Sequence, residues 1–186
     1  MKVLVGHGSP VVPEDIKDLP STEKVNEVVY EVPWGYYAGF TSSVPMKLGT
    51  DSLNSCFAYI SSYKQGRKVF FAHVFSDGEA DHIVKMLTDP DAEDLKCLAC
   101  VAVVGVNPKP TTRKRIQAII SRARVPHVVV RASTGAVTFT PSTGEVECVK
   151  SIKTAEMPTR RSRIEAMGKS TASPLIKMHD SEDFEL

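Results

Sequence analysis

The chain has 186 residues, of which 42% are hydrophobic and 24% charged, and its formal net charge is +1. That length suits one domain with a real core, and the balanced charge gives no electrostatic reason to expect nucleic acid or an anionic membrane as partner. No apolar run approaches the ~20 residues of a membrane span, and the start Met1-Lys2-Val3-Leu4-Val5-Gly6 lacks the h-region of a secretory signal. A soluble cytoplasmic protein is therefore expected; non-classical export or delivery as an effector would leave no mark on such a sequence.

In chain order, residues 2–5 and 11–12 read as short strand pieces around Gly6-His7-Gly8-Ser9-Pro10. Residues 13–46, punctuated by Pro13, Pro20, Pro33 and Pro45, read as irregular, with one aromatic patch at Trp34-Gly35-Tyr36-Tyr37. From Ser55 to Ile60 and from Lys68 to Phe75 the pattern is that of two strands joined at Lys64-Gln65-Gly66-Arg67, a hairpin. Ala80, Ile83, Val84 and Leu87 at helical spacing predict a helix over 79–87, with Asp77 as its N-cap and Asp89-Pro90-Asp91 as its stop.

Cys97 to Val106 predicts a buried strand, and Asn107-Pro108-Lys109-Pro110 breaks it. Thr111 or Thr112 then caps a basic helix through Ala123, with Ile116, Ile119 and Ile120 turned inward. Pro126 to Val130 is a further strand, and Ala136–Phe139 with Val146–Val149 flank Pro141-Ser142-Thr143-Gly144 as a second hairpin. Beyond Lys150 the chain turns polar, with a basic cluster (Arg160, Arg161, Arg163) and an acidic end. Residues 151–186 are expected to be a mostly disordered tail with a helical turn near 162–167. The whole predicts an α/β fold: one layered α/β sandwich domain over 1–150, with mixed or antiparallel sheets and flanking helices.

Four cysteines in a reducing compartment are most simply free thiols. Cys97-Leu-Ala-Cys100 has the spacing of a zinc or redox pair. On a strand, however, residues three apart face opposite ways, and no second CxxC or CxxH completes a site. No metal and no cofactor is expected. Gly6-x-Gly8 lacks the third glycine and the helix of a dinucleotide fingerprint.

The first hairpin brings chemistry together. A turn centred between Lys64 and Gln65 sets Cys56 directly opposite His73; a turn centred one residue later sets Cys56 opposite Phe75, with His73 at the next same-face position. Either register leaves both side chains on one face, because strand side chains alternate with period two. A free thiol titrates near ~8.5, and an adjacent imidazole can take its proton, giving a thiolate beside an imidazolium that then protonates a leaving amine. Such an imidazole needs a third group to fix its ring. Thr50, six residues before Cys56, and Asp51 compete for that role. The backbone N–H of Cys56, with the Ser55 and Asn54 turn, is the natural oxyanion donor.

This arrangement resembles the CheD family of chemotaxis deamidases and, more distantly, the cytotoxic necrotizing factor-type cysteine hydrolases. In CheD proteins a threonine precedes the cysteine by six residues, and a histidine ends the return strand 17 residues later. Thr50, Ser55-Cys56 and Ala72-His73 match those intervals. The start Val5-Gly6-His7-Gly8 and the downstream order are similar too, down to Gly135–Phe139 and Thr143–Val146 of the second hairpin. The resemblance spans residues 2–150 with gaps. Ser52-Leu53-Asn54 replaces the CheD glycines before the cysteine, and segment 13–46 is longer than its counterpart. The turn Leu48-Gly49-Thr50-Asp51 also looks like that of the protein N-terminal asparagine amidohydrolase.

The resemblance implies a protein glutamine deamidase with Cys56 as nucleophile, His73 as base and Thr50 as its orienter. The partner is then a protein substrate carrying a reactive Gln or Asn. His7, Trp34, Tyr36 and Tyr37 are candidates for the rim, and Asp51 for a substrate contact. An N-terminal Asn/Gln amidohydrolase is the nearest alternative; it requires an anion for the free α-amine, for which Asp51, Asp77 or Glu79 are available. The alternative of another class is a non-catalytic interaction domain that uses the basic helix (Arg113, Lys114, Arg115, Arg122, Arg124).

Overall fold

The structure, a computed structural model, describes residues 3–4, 16–41, 47–63, 68–88, 97–123, 127–156 and 176–177. It is an α/β fold of two mixed sheets and two helices. Strands β1 (Val3–Leu4), β3 (Glu27–Glu31), β5 (Leu48–Thr50), β10 (Ala136–Thr140), β11 (Glu145–Val149) and β12 (Ile152–Glu156) form one sheet in the order β1-β11-β10-β5-β3-β12. Strands β2 (Lys17–Leu19), β4 (Tyr36–Thr41), β6 (Phe57–Tyr63), β7 (Lys68–Val74), β8 (Cys97–Val104), β9 (His127–Ala132) and β13 (Ile176–Lys177) form the other, in the order β13-β4-β7-β6-β8-β9-β2. Helices α1 (Asp77–Thr88) and α2 (Pro110–Ala123) complete the elements of the described residues.

Strand periodicity sorts the seven-stranded sheet into two faces. Ala58, Ile60, Val69, Phe71, Val101, Val103 and Val130 face the six-stranded sheet, where they pack on Tyr30, Leu48, Val137, Phe139 and Val146. Their neighbours Phe57, Tyr59, Phe70, Ala102, Val104 and Val129 face the helices, against Ala80, Ile83 and Val84 of α1 and Ile116 and Ile119 of α2. The layers are therefore sheet, sheet, helices. β6, β7 and β8 are central and buried on both sides, which explains their nearly unbroken apolar sequences.

The segment 13–46 is not irregular as expected. It contributes β2, β3 and β4, which join three different places: β2 beside β9, β3 between β5 and β12, and β4 beside β7. Pro20 and Pro33 follow short strands whose partners lie elsewhere in the chain. Between β3 and β4 the chain reverses at Pro33–Tyr36, where Tyr36 N–H donates to Pro33 O (3.1 Å) and Gly35 has φ 75°. A positive φ at the third residue of a turn is the position glycine fills without a Cβ clash.

The CxxC lies on β8 as its pattern predicts, with Cys100 packed toward the helices. The cap of α1 is Ser76 rather than Asp77: Glu79 N–H donates to Ser76 Oγ (3.2 Å), while Glu79 Oε2 accepts from Ser76 N–H (3.2 Å) and Phe75 N–H (2.7 Å). This reciprocal capping box was readable as Ser-x-x-Glu. Helix α2 opens on Pro110, whose missing N–H is harmless at the first helical position.

Past residue 150 the chain still contributes structure. β12 pairs in parallel with β3, and β13 with β4. The expected helical turn at 162–167, the hairpin turn at 64–67, the strand piece at 11–12 and His7 lie outside the described residues.

Candidate active site

The sulfur, the imidazole and the hydroxyl come from three places. Cys56 immediately precedes β6, His73 lies near the end of β7, and Thr50 ends β5 in the opposite sheet. In β6 and β7 Phe57 pairs with Val74 and Ala58 with His73, so the second of the two hairpin registers is the one adopted. His73 faces the six-stranded sheet, and extending the register one residue beyond β6 puts Cys56 on the same side, diagonal to His73 rather than directly opposed. From that sheet the Thr50 hydroxyl meets His73 Nδ1 at 2.6 Å. Asp51, the competing orienter, is exposed.

In the tautomer whose Nδ1 is protonated and donates to Thr50, Nε2 keeps its lone pair. Nε2 is buried and has no hydrogen-bond partner among the described residues, which is the condition a general base requires before substrate arrives. The Cys56 thiol meanwhile donates to Ser52 O at 3.2 Å. Ser52 itself has φ 62°, so the turn before the cysteine bends through the left-handed region although glycines are absent from it.

Burial dominates the electrostatics. Cys56 is 1% exposed and His73 0%. Desolvation pushes the Cys56 thiol up to about 11, against the opposing hydrogen bonds of the Ser55 backbone and side chain; the Glu79 charge adds to the rise and Arg115 opposes it. Desolvation also pulls His73 down to about 3, with a hydrogen bond to the Val32 backbone opposing. The resting pair is thus thiol and neutral imidazole, not the thiolate–imidazolium pair expected from sequence. The reason is that two sheets close over it, and neither charge has water to support it.

The turn residues divide their work. Ser55 is half-buried, and both its backbone and its side chain engage the Cys56 sulfur, while Asn54 is exposed. Of the aromatic candidates, Trp34 is at the site: its ring stands edge-on to His73, 6.0 Å between centroids and 80° between planes, and also touches Phe75 at 6.4 Å. The turn that carries Trp34 is tied to the histidine by Gly35 N–H donating to His73 O at 2.8 Å. Tyr36 is buried in the inter-sheet core rather than on a rim, and Tyr37 points to the other face, stacked near Phe70 and His82. Alternation along β4 makes it impossible for both tyrosines to serve one site.

Three positions that the sequence does not assign to the site lie around the nucleophile turn. Thr112, expected as a cap, sends its hydroxyl to Ser55 O (3.1 Å) and is fully buried. Arg115, one turn later, holds Asp77 at 2.7 Å and lies close enough to act on Cys56. At the end of β8, a Cβ on Gly105 would fall 2.7 Å from Leu53 O, so only glycine lets the nucleophile turn sit against this strand. No local sequence signal points to any of these contacts, because each joins residues far apart in the chain, from 38 for Arg115 with Asp77 to 57 for Thr112 with Ser55.

Among the described residues, no group of three or more His, Cys, Asp or Glu is arranged to hold a metal ion, and no helix is long and apolar enough to cross a membrane. No protein-family model matches the chain, and no curated protein matches it either.

Proposed function

We propose that the chain is a cysteine amidohydrolase that converts the carboxamide of a protein-bound glutamine to a carboxylate. The observation that carries this reading is the Thr50 Oγ1–His73 Nδ1 bond, beside a buried Nε2 that has no partner among the described residues. Since the resting pair is neutral, the proton leaves sulfur only as sulfur attacks. Nε2 takes the thiol proton while the S–C bond forms. The imidazolium then gives that proton to the departing nitrogen, the C–N bond breaks, ammonia leaves and a thioester remains. His73 next takes a proton from water, which attacks the thioester and returns the thiol. A neutral histidine and a neutral thiol suit this order, because no charge need be maintained in the closed site before substrate arrives.

The test incubates the purified chain with glutamine- and asparagine-containing proteins and follows ammonia release together with a mass gain of ~1 Da, the replacement of NH2 by OH. Product formed equally by Cys56→Ala would remove Cys56 as nucleophile.

One observation favours a second reading, attack on an N-terminal Gln or Asn. Of the three anions available for an α-amine, Asp51 is exposed and Asp77 is held by Arg115, whereas the buried Glu79 lies near enough to raise the Cys56 thiol. Its Oε2 is already engaged by the Phe75 and Ser76 N–H groups, so the internal amide is preferred. Paired peptides with free and acetylated N-termini separate the two, since only the second reading demands the free amine.

A further inference from the structure

The nucleophile turn is held from two sides. Gly105 backs it at Leu53, and α2 grips it at Ser55 through the Thr112 hydroxyl. The second contact has a directional consequence. The peptide joining Ser55 to Cys56 is trans, as are all the described peptide bonds, so its C=O and N–H point in opposite directions. Thr112 belongs to the helix layer, whose side chains Ile116 and Ile119 pack on the outer face of the seven-stranded sheet. A Ser55 carbonyl drawn toward that layer turns the Cys56 N–H the other way, toward the inter-sheet face that holds His73 and Thr50.

We infer that Thr112 is a positioning residue for the oxyanion hole: by fixing the Ser55 carbonyl on the helix side, it aims the Cys56 N–H at the oxygen that becomes negative when the thiol attacks a carbonyl. The inference rests on the reading of Cys56 as nucleophile. It accounts for a buried hydroxyl in the first turn of α2 that makes no cap. It also assigns the helix layer a role in chemistry carried out on the opposite face of the sheet. A donor held rigidly in a water-free site stabilises developing charge without reorganising at the moment of reaction.

Two probes of different chemistry test this without a known substrate. p-Nitrophenyl acetate acylates a thiol through a tetrahedral oxyanion, whereas iodoacetamide alkylates it by displacement at saturated carbon, where no oxyanion forms. Background is subtracted with Cys56→Ala. Thr112→Val should slow acylation of Cys56 about tenfold to a hundredfold, the scale of a weakened oxyanion donor. It should leave the alkylation rate and its pH profile within twofold of wild type, and Thr112→Ser should restore most of the acylation rate. Equal slowing of both probes, or a Ser variant as impaired as Val, would overturn the inference. The wild type supplies an independent check that needs no variant to fold. The carbonyl stretch of the 13C-labelled acetyl thioester on Cys56 should lie below that of the same thioester in the unfolded chain, and an unshifted band would count against a donor at this place. Should wild type acylate no faster than Cys56→Ala, it is the reading of the nucleophile that fails; should it acylate normally in every Thr112 variant, only the role of Thr112 does.

Discussion

A cysteine, a histidine and a hydroxyl gather at each face of the seven-stranded sheet, the hydroxyl of one set, Thr50, reaching in from the six-stranded sheet. Toward the other sheet lie Cys56, His73 and Thr50. Toward the helices lie Cys100, His127 and Tyr59, with Tyr59 Oη 2.8 Å from His127 Nε2 and Cys100 the direct strand partner of His127. By residue type and proximity the two sets are alike, and both are fully buried. They differ in where they stand on their strands. Cys56 occupies the turn before β6, where Ser55, Ser52 and Thr112 shape the backbone and Trp34 covers the histidine with a partly exposed ring. Cys100 and Tyr59 lie within β8 and β6, flanked by strands and roofed by α1 and α2. A nucleophile needs an approach for the carbonyl and a donor for its oxygen, and a mid-strand cysteine has its backbone committed to the ladder. Chemistry is legible in the ends of strands more than in the residues paired along them.

The sharpest way to break the comparison is to exchange the cysteines' fates. Cys56→Ala should reduce amide hydrolysis roughly a thousandfold or more, while Cys100→Ala should keep it within about twofold. A reversed result would move the site to the helix side. The hydroxyls come next. Thr50→Val should lower kcat about a hundredfold by freeing the imidazole ring. Tyr59→Phe should leave kcat unchanged and cost about 1 kcal/mol of stability by urea unfolding, the value of one buried hydrogen bond.

The pH dependence of stability separates the histidines more finely. His73 is held near 3 in the fold against 6.5 when free, so between those values the unfolded chain takes up a proton that the fold refuses. Stability from this group is complete above pH 6.5 and is lost as pH falls toward 3, and His73→Gln should flatten that limb of a urea-midpoint profile. At the alkaline end the raised Cys56 thiol acts in the opposite sense. The unfolded thiol ionises from about 9 and the folded one only near 11, so stability falls as pH rises through that window. Cys56→Ala should remove that decline. The smallest expected effect is on access: Trp34→Ala should speed iodoacetamide labelling of Cys56 about threefold to tenfold and leave Cys100 as protected as before.

Much of this fold can be read locally. The unbroken apolar runs of β6, β7 and β8, the helical spacing of Ile83, Val84 and Leu87, and the turn chemistry at Pro141–Gly144 each point to the right element. Residues 13–46 defeated the same reasoning, because β2, β3 and β4 are short, proline-bounded strands whose partners lie far off in sequence. Ile152–Glu156 was missed for a related reason: its partner β3 sits in that misread segment. The site divides likewise. Spacing alone puts Cys56 and His73 on one face and brings Thr50 within reach, but it leaves two registers and two orienters open. The register and the Thr50 bond depend on a turn and a second sheet. The neutrality of the pair could not be foreseen at all, since it arises from burial by residues with no local relation to the hairpin.

The split of the site between the two sheets has a consequence for the chain while it folds. Thr50 and His73 meet only when the six-stranded sheet has docked on the seven-stranded one. Until then the hairpin carries an ordinary hydrated thiol beside an untethered imidazole. Catalytic ability would therefore arrive last, with the final docking of the layers, and a half-assembled chain would present a cysteine open to oxidation but unable to turn over an amide. Under the proposed function, hydrolytic activity would double as a certificate that both sheets are in place.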